Sequence, residues 1–102
     1  MKETLLYIEE SPSIRKKYRA YVRNKYSNKI RHIDFGDSLY GQYKDSTGLG
    51  IFTRHDHEDI RRRINYFKRF SGMDNKKDAL KKEIGDTNGF YSAKILSHMY
   101  LW

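Results

Sequence analysis

The chain has 102 residues, and its 21 Lys and Arg against 13 Asp and Glu give it a formal net charge of +8. This length predicts a single domain, residues 1–102, with a thin core. The absence of cysteine excludes a disulfide scaffold, a thiol nucleophile and a cysteine-zinc site. No apolar run approaches the roughly 20 residues of a transmembrane helix. We expect a soluble, unexported chain whose positive charge favours nucleic acid, an anionic membrane surface or an acidic protein as its partner.

Residues 4–9 form a short apolar run that predicts a first strand. Simple alternation would place Leu6 and Ile8 on one face of this strand. The same alternation would place Leu5 and Tyr7 on the other face. The strand is expected to complete either the sheet of this chain or the sheet of a neighbouring protein.

Residues 15–23 and 29–35 predict the two strands of a hairpin. Apolar and polar residues alternate along the first segment, which is the period of a strand with one buried face. The polar residues between the two segments predict a turn. The inward-facing residues are expected to be Tyr18, Ala20, Val22, Ile33 and Phe35.

A loop rich in glycine and aromatic residues is predicted over 37–53. Gly41, Gly48 and Gly50 permit tight backbone paths, and apolar residues lie between them. This composition predicts a structured loop that packs on the core, because a loop without core contacts needs no apolar side chains.

Residues 56–70 predict an amphipathic helix. Ile60, Ile64 and Phe67 fall at positions i, i+4 and i+7, so they share one face. Asp56 is the candidate N-terminal cap. Cations occupy the opposite face and collect toward the C-terminal end, where the helix dipole favours them. The pattern therefore predicts a helix that buries an apolar stripe and exposes a ridge of positive charge.

Two more helical segments complete the predicted fold. Residues 78–84 predict a short helix that ends at Gly85, and residues 91–102 predict a second main helix. The apolar stripe of that second helix consists of Ile95, Met99 and Trp102. The elements together predict an α+β fold, in which two main helices pack on a small antiparallel sheet of two to three strands.

The segment His55–Asp59 concentrates two imidazoles and three carboxylates. An extended His-x-His segment can offer two ligands to a metal ion. Acidic residues also collect at helix N-termini for electrostatic reasons, and this second interpretation is preferred. No nucleophile elbow is present either. The sequence therefore predicts no metal, no cofactor and no catalytic residue.

Basic residues give the strongest signal for function. They cluster near the second strand and on the long helix, and tyrosines are interleaved with them. Such a set can contact phosphates and stack on bases, or it can be a solvated surface. The residues predicted to bind an acidic partner or another anion are Arg15, Lys16, Lys17, Arg19, Arg61, Arg62, Lys68 and Arg69.

Several short motifs also occur in a specific order. The order is K-K-Y, then F-G followed by spaced tyrosines, then R-R-x-N-Y-x-x-R, then a terminal L-W. The corresponding segments are Lys16–Tyr18, His32–Gly36 with Tyr40 and Tyr43, Arg62–Arg69, and Tyr91–Trp102. This order resembles a family of small basic proteins from nucleocytoplasmic large DNA viruses. The sequence departs from the family pattern at Phe70, where a histidine is expected, and by a longer insertion around residues 45–51.

The resemblance implies a viral gene product with no enzymatic activity. It further implies a minor capsid or cement protein, found in the virion shell and in the host cytoplasm during assembly, with larger capsid proteins as partners. On this interpretation the F-G turn ends a strand, and aromatic residues anchor the helices to the sheet. The predicted structural anchors are Phe35, Gly36, Tyr66, Phe67 and Trp102.

Two alternatives stay open. The basic surface would also suit a viral nucleic-acid-binding protein that condenses or escorts the genome. A small enzyme built around His55 and His57 is a more distant alternative.

Overall fold

The computed structural model describes residues 1–102 and confirms the predicted α+β fold. Three strands come first, followed by a structured loop that contains a short 3₁₀ turn, and then by three helices. None of these helices is both long and apolar enough to cross a membrane. The elements are β1 (Glu3–Glu10), β2 (Lys16–Asn24), β3 (Ile30–Asp37), α1 (Ile60–Ser71), α2 (Lys76–Asp86) and α3 (Ala93–Tyr100).

The sheet is antiparallel, and β2 is its central strand. The predicted hairpin of β2 and β3 is confirmed, and Tyr18, Ala20 and Val22 are fully buried, as their alternation indicated. β1 pairs with β2 of the same chain, so the N-terminal strand completes this chain's own sheet. One face of the sheet packs against α3, and no helix covers the other face.

The predicted faces of β1 are wrong, because the pairing register between β1 and β2 shifts between Leu5 and Tyr7. This β-bulge adds one residue and therefore reverses the alternation beyond it. Leu5 and Ile8 both pack against the core. Tyr7 lies on the uncovered face instead, where its ring stacks on Tyr21 at a centroid distance of 4.6 Å.

Helix α1 begins later than predicted, and of its predicted apolar stripe only Phe67 is buried. Its N-cap is Asp59, whose side chain accepts a hydrogen bond from the backbone N–H of Arg62. The helix is packed only along its C-terminal half, so Ile60 and Ile64 stay 64% and 38% exposed. The predicted end is confirmed, since Gly72 adopts the left-handed conformation that follows the last turn.

Helices α2 and α3 lie where the sequence indicated, with different ends. Asn75 caps α2, and Gly85 lies inside that helix rather than ending it. Ser92 caps α3, whose residues Ile95 and Leu96 are fully buried. The predicted segment 91–102 is therefore helical only over its central eight residues.

Two apolar clusters form the core. The sheet cluster lies between the sheet, the loop and α3, and the helix cluster lies between α1 and α2. Trp102 packs against both clusters and so joins them. The sheet cluster consists of Tyr18, Ala20, Phe35, Phe52, Leu96 and Leu101, and the helix cluster of Tyr66, Phe67 and Ala79.

The loop between β3 and α1 is structured, as predicted. Phe52 belongs to the sheet cluster, and Gln42 is fully buried. The Gln42 amide donates to the backbone oxygen of Phe52 at 2.9 Å and to Asp56 Oδ1 at 2.8 Å. Asp56 also accepts from the backbone N–H of Asp45, so it closes the loop and does not cap α1.

Gly36 marks the point where β3 passes close to the C-terminal segment. Its φ is +79°, and a Cβ atom built on it would lie 2.8 Å from Leu101 Cδ1. A side chain at this position would obstruct the packing of the C-terminal segment on the strand. Phe35, its neighbour, is fully buried in the sheet cluster.

Candidate functional site

One face of α1 carries four of the five specified residues of the R-R-x-N-Y-x-x-R motif, and the fifth, Arg63, lies over the ring of Tyr43. Arg62, Asn65, Tyr66 and Arg69 fall at i, i+3, i+4 and i+7, so they form one stripe along the helix. These four residues and Trp102 line a cavity of about 220 Å³. Most of the motif therefore faces one cavity on the surface of the protein.

This cavity opens beside a larger one of about 690 Å³, with which it shares Tyr66, Arg69 and Trp102. We call the two together the α1/α3 groove. Its walls come from α1, from α3 with the residues that follow it, and from the ends of β2 and β3 with the adjoining loop. Besides the shared residues, the larger cavity is lined chiefly by Lys16, Lys17, Gly36, Asp37, Tyr40, Phe70, Lys94 and Leu101.

A stacked aromatic pair forms the floor of the groove. The rings of Tyr66 and Trp102 lie 4.1 Å apart with an angle of 4° between their planes. The other neighbours of Trp102 include His57, whose ring centroid is 5.3 Å away. Phe70 packs against Tyr66 at 4.9 Å, and the guanidinium of Arg69 lies 4.9 Å above the Phe70 ring.

The cations predicted on α1 divide into two stripes. Arg62 and Arg69 line the groove, whereas Arg61 and Lys68 lie outside it. Lys68 has one distant carboxylate partner, Asp74, at 3.8 Å. The three arginines have no ion-pair partner in the chain, so their charge is available to a ligand.

The cations predicted near β2 have different environments. Lys16 lines the groove and is exposed, and Arg15 is exposed in the turn before β2. Arg19 lies on the uncovered face of the sheet, where its guanidinium makes two hydrogen bonds to Asp34 at 2.8 and 3.1 Å. Its charge is therefore already neutralised within the chain.

Lys17 is the exception among the predicted binding residues, because only 1% of it is exposed. Its ammonium donates to the backbone oxygen of Tyr40 at 2.7 Å, which fixes the loop at the edge of the groove. Burial lowers the pKa of Lys17 to about 8, and the nearby carboxylates of Asp37 and Asp45 only partly offset this effect. Lys17 therefore supports the wall of the groove and is not a surface cation.

Behind the floor lies a buried polar network that sequence analysis missed. His98 is fully buried, and its Nδ1 lies 2.9 Å from the Tyr66 hydroxyl while its Nε2 lies 2.7 Å from Ser71 Oγ. Either neutral tautomer satisfies both contacts, because each partner is a hydroxyl that donates or accepts. Burial lowers the pKa of His98 to about 4. The network thus links α1 to α3 through a neutral imidazole.

The sequence contains a pattern that indicates this network, namely polar residues at the helical spacing of buried apolar ones. His98 follows Ile95 by three positions, so it falls on the buried face of α3. Ser71 is the last residue of α1 and follows Phe67 by four positions. Polar residues at core spacing are thus the pattern that indicates such a network.

The residues of the segment His55–Asp59 make separate contacts. His57 Nδ1 accepts from the backbone N–H of Asp59, and His55 Nδ1 lies 3.2 Å from the backbone oxygen of Tyr40. No group of three or more His, Asp or Glu side chains in the chain is arranged to hold a metal ion. The acidic end of the segment caps α1 through Asp59.

Comparisons with models of protein families, with curated proteins and with solved structures find no match to this chain. The functional interpretation of the α1/α3 groove therefore rests on its own residues. These residues combine unpaired guanidinium groups with an aromatic and aliphatic floor.

Proposed function

We propose that this chain is a non-enzymatic structural protein of a large DNA virus, a minor capsid or cement component that docks on larger shell proteins. The observation that carries this proposal is the pair of arginines that line the α1/α3 groove without an ion-pair partner, Arg62 and Arg69. Guanidinium groups pair with carboxylates in a bidentate geometry that gives orientation as well as attraction.

The nature of the exposed surface supports a binding role. Arginine, tyrosine and tryptophan are the residues that contribute most to binding at protein interfaces. The α1/α3 groove brings Arg62, Arg69 and Trp102 together at one place. By contrast, the one serine in contact with a histidine, Ser71, is 2% exposed and so cannot reach a substrate.

Cross-linking mass spectrometry on intact particles tests the proposal. A lysine-reactive reagent should join Lys16, Lys68 and Lys94 to shell proteins, because these lysines border the cationic surfaces and are exposed. Links from the same lysines to genome-associated core proteins alone, or detection of the protein only outside the particle, would contradict it.

Nucleic acid is the second candidate partner, favoured by the net charge of +8 and by exposed aromatic rings such as Tyr26 and Tyr40. Duplex DNA binding should be measured between about 50 and 200 mM salt. A protein that makes six to ten phosphate contacts loses about 10³- to 10⁵-fold in affinity over this range. A loss of that size from tight binding at low salt would favour the genome-binding role. Negligible binding at moderate salt favours docking on protein.

A further inference from the structure

We propose that the α1/α3 groove binds an extended acidic peptide segment that carries one aromatic or large aliphatic residue. This inference rests on the proposed docking function and specifies where the partner binds and what its binding segment looks like. The apolar residue would fill the larger cavity, and its acidic neighbours would pair with the arginines of α1.

The rim of the groove matches an extended acidic segment in charge and in length. Arg62 and Arg69 are seven residues apart, which corresponds to about 10 Å along a helix. An extended peptide covers that distance in about three residues. Lys16 adds a further unpaired cation to the wall, and Asp37 is the one acidic residue that lines either cavity. Two carboxylates about three positions apart would therefore reach both guanidinium groups.

The floor of the larger cavity suits an apolar side chain. Ala93 contributes aliphatic surface above the buried Leu101, and Phe70, which is 43% exposed, contributes aromatic surface. Burying one phenylalanine or leucine side chain there would favour binding, because its apolar surface leaves water. A partner that binds through charge alone would leave this apolar surface exposed to water.

The aromatic residues of the floor favour a peptide over a nucleic-acid base. Base stacking needs a free ring face. One face of Tyr66 is covered by Trp102, and only 8% of Tyr66 is exposed. Trp102 stacks one face on Tyr66 and also contacts the tilted ring of His57, and the Arg69 guanidinium lies over the Phe70 ring. These contacts leave few ring faces free for a base, whereas ring edges still pack well against aliphatic or aromatic side chains.

The test uses the full chain and a fluorescein-labelled peptide, Gly-Asp-Asp-Phe-Asp-Asp-Gly, in anisotropy titrations at about 150 mM salt. The double variant R62Q/R69Q removes two charges from the groove. The matched control R61Q/K68Q removes two charges at the same spacing from the neighbouring stripe of the same helix. All four side chains are exposed, and thermal unfolding of both variants checks that each is folded.

We expect R62Q/R69Q to weaken peptide binding by at least about tenfold and R61Q/K68Q by less than about twofold. A peptide with Ala in place of Phe should also bind at least about fivefold more weakly, because it keeps the charge and loses the apolar contact.

Three results would overturn the proposal. The first is equal weakening by the two double variants, which would indicate attraction by net charge without a site. The second is no binding up to about 1 mM peptide. The third is tighter binding of a labelled oligothymidine than of the peptide, with the same dependence on Arg62 and Arg69. Equal weakening by the two double variants would exclude the groove as the peptide site, but the protein could still dock on the particle through another face. Peptide binding without cross-links to shell proteins would instead remove the docking function and keep the groove.

Discussion

The two apolar clusters of this small domain are stabilised in different ways. The sheet cluster is closed by tight packing, as the contact between Gly36 and Leu101 illustrates. The helix cluster is built around a hydrogen-bonded histidine, His98, whose ring contacts both Tyr66 and Phe67. The stability of the sheet cluster should therefore depend mainly on side-chain volume. The stability of the helix cluster should depend mainly on the protonation of His98.

The largest expected effect is on packing in the sheet cluster. Gly36→Ala should lower the free energy of unfolding by between about 2 and 5 kcal/mol, because it adds a positive-φ penalty to an overpacked contact. Gly48→Ala is the matched control, since Gly48 also has a positive φ, of +83°, but no atom within 4 Å of its Cβ position. Urea unfolding should separate the two variants. Equal destabilisation would show that the contact with Leu101 relaxes without cost.

The next effect concerns protonation of the helix cluster. Burial holds the pKa of His98 at about 4, whereas the unfolded chain binds this proton near 6.5. Between these values the unfolded state binds more protons than the folded state. The contribution of His98 to the free energy of unfolding is therefore full above about pH 6.5 and decreases as the pH falls. From pH 7 to about pH 5 the loss should be about 2 kcal/mol in urea unfolding.

A control separates His98 from the other histidines. His98→Gln should be less stable at pH 7 and should lose the larger part of the dependence between pH 7 and 5, because glutamine does not titrate; His57, whose pKa burial also lowers, accounts for a smaller part. His32→Gln changes an exposed histidine on the uncovered sheet face and leaves His98 in place, so the slope that His98 causes should persist. An unchanged slope in His98→Gln would contradict the assignment.

The smallest expected effect concerns the ion pair between Glu3 of β1 and Arg31 of β3, beside the start of α3. Glu3 is 3% exposed and accepts two hydrogen bonds from Arg31, at 2.7 and 2.9 Å, and one from the backbone N–H of Tyr91. Glu3→Gln should cost about 1 kcal/mol, because the amide loses the charge-assisted contacts and Arg31 regains water. The exposed Glu10→Gln should be neutral in thermal unfolding. Similar melting temperatures for both variants would show that this contact is dispensable.

Much of the sheet was predictable because alternation has a period of two and the buried face of β2 follows it without interruption. The β-bulge in β1 was not predictable from that pattern, since the run from Leu5 to Ile8 is apolar throughout and fits either register. The α+β fold and the end of α1 at Gly72 follow from local rules. Local rules do not depend on how the helices pack together.

The groove could be predicted only in part, because it depends on which half of α1 is packed. The sequence indicated an apolar stripe of Ile60, Ile64 and Phe67, but tertiary packing buries only Phe67 of these three, together with Tyr66. The cations of α1 were identified as one ridge, whereas the structure divides them between the groove and the solvent. The burial of Lys17 could not be predicted from the sequence, because it depends on the path of the loop over β2.

The stack of Trp102 on Tyr66 gives the molecule an optical reporter. Trp102 is the single tryptophan of the chain, so its fluorescence comes from the floor of the groove and from nowhere else. A ligand that removes water from the indole should move its emission to shorter wavelength. Occupancy of this one place can thus be followed on the unlabelled chain.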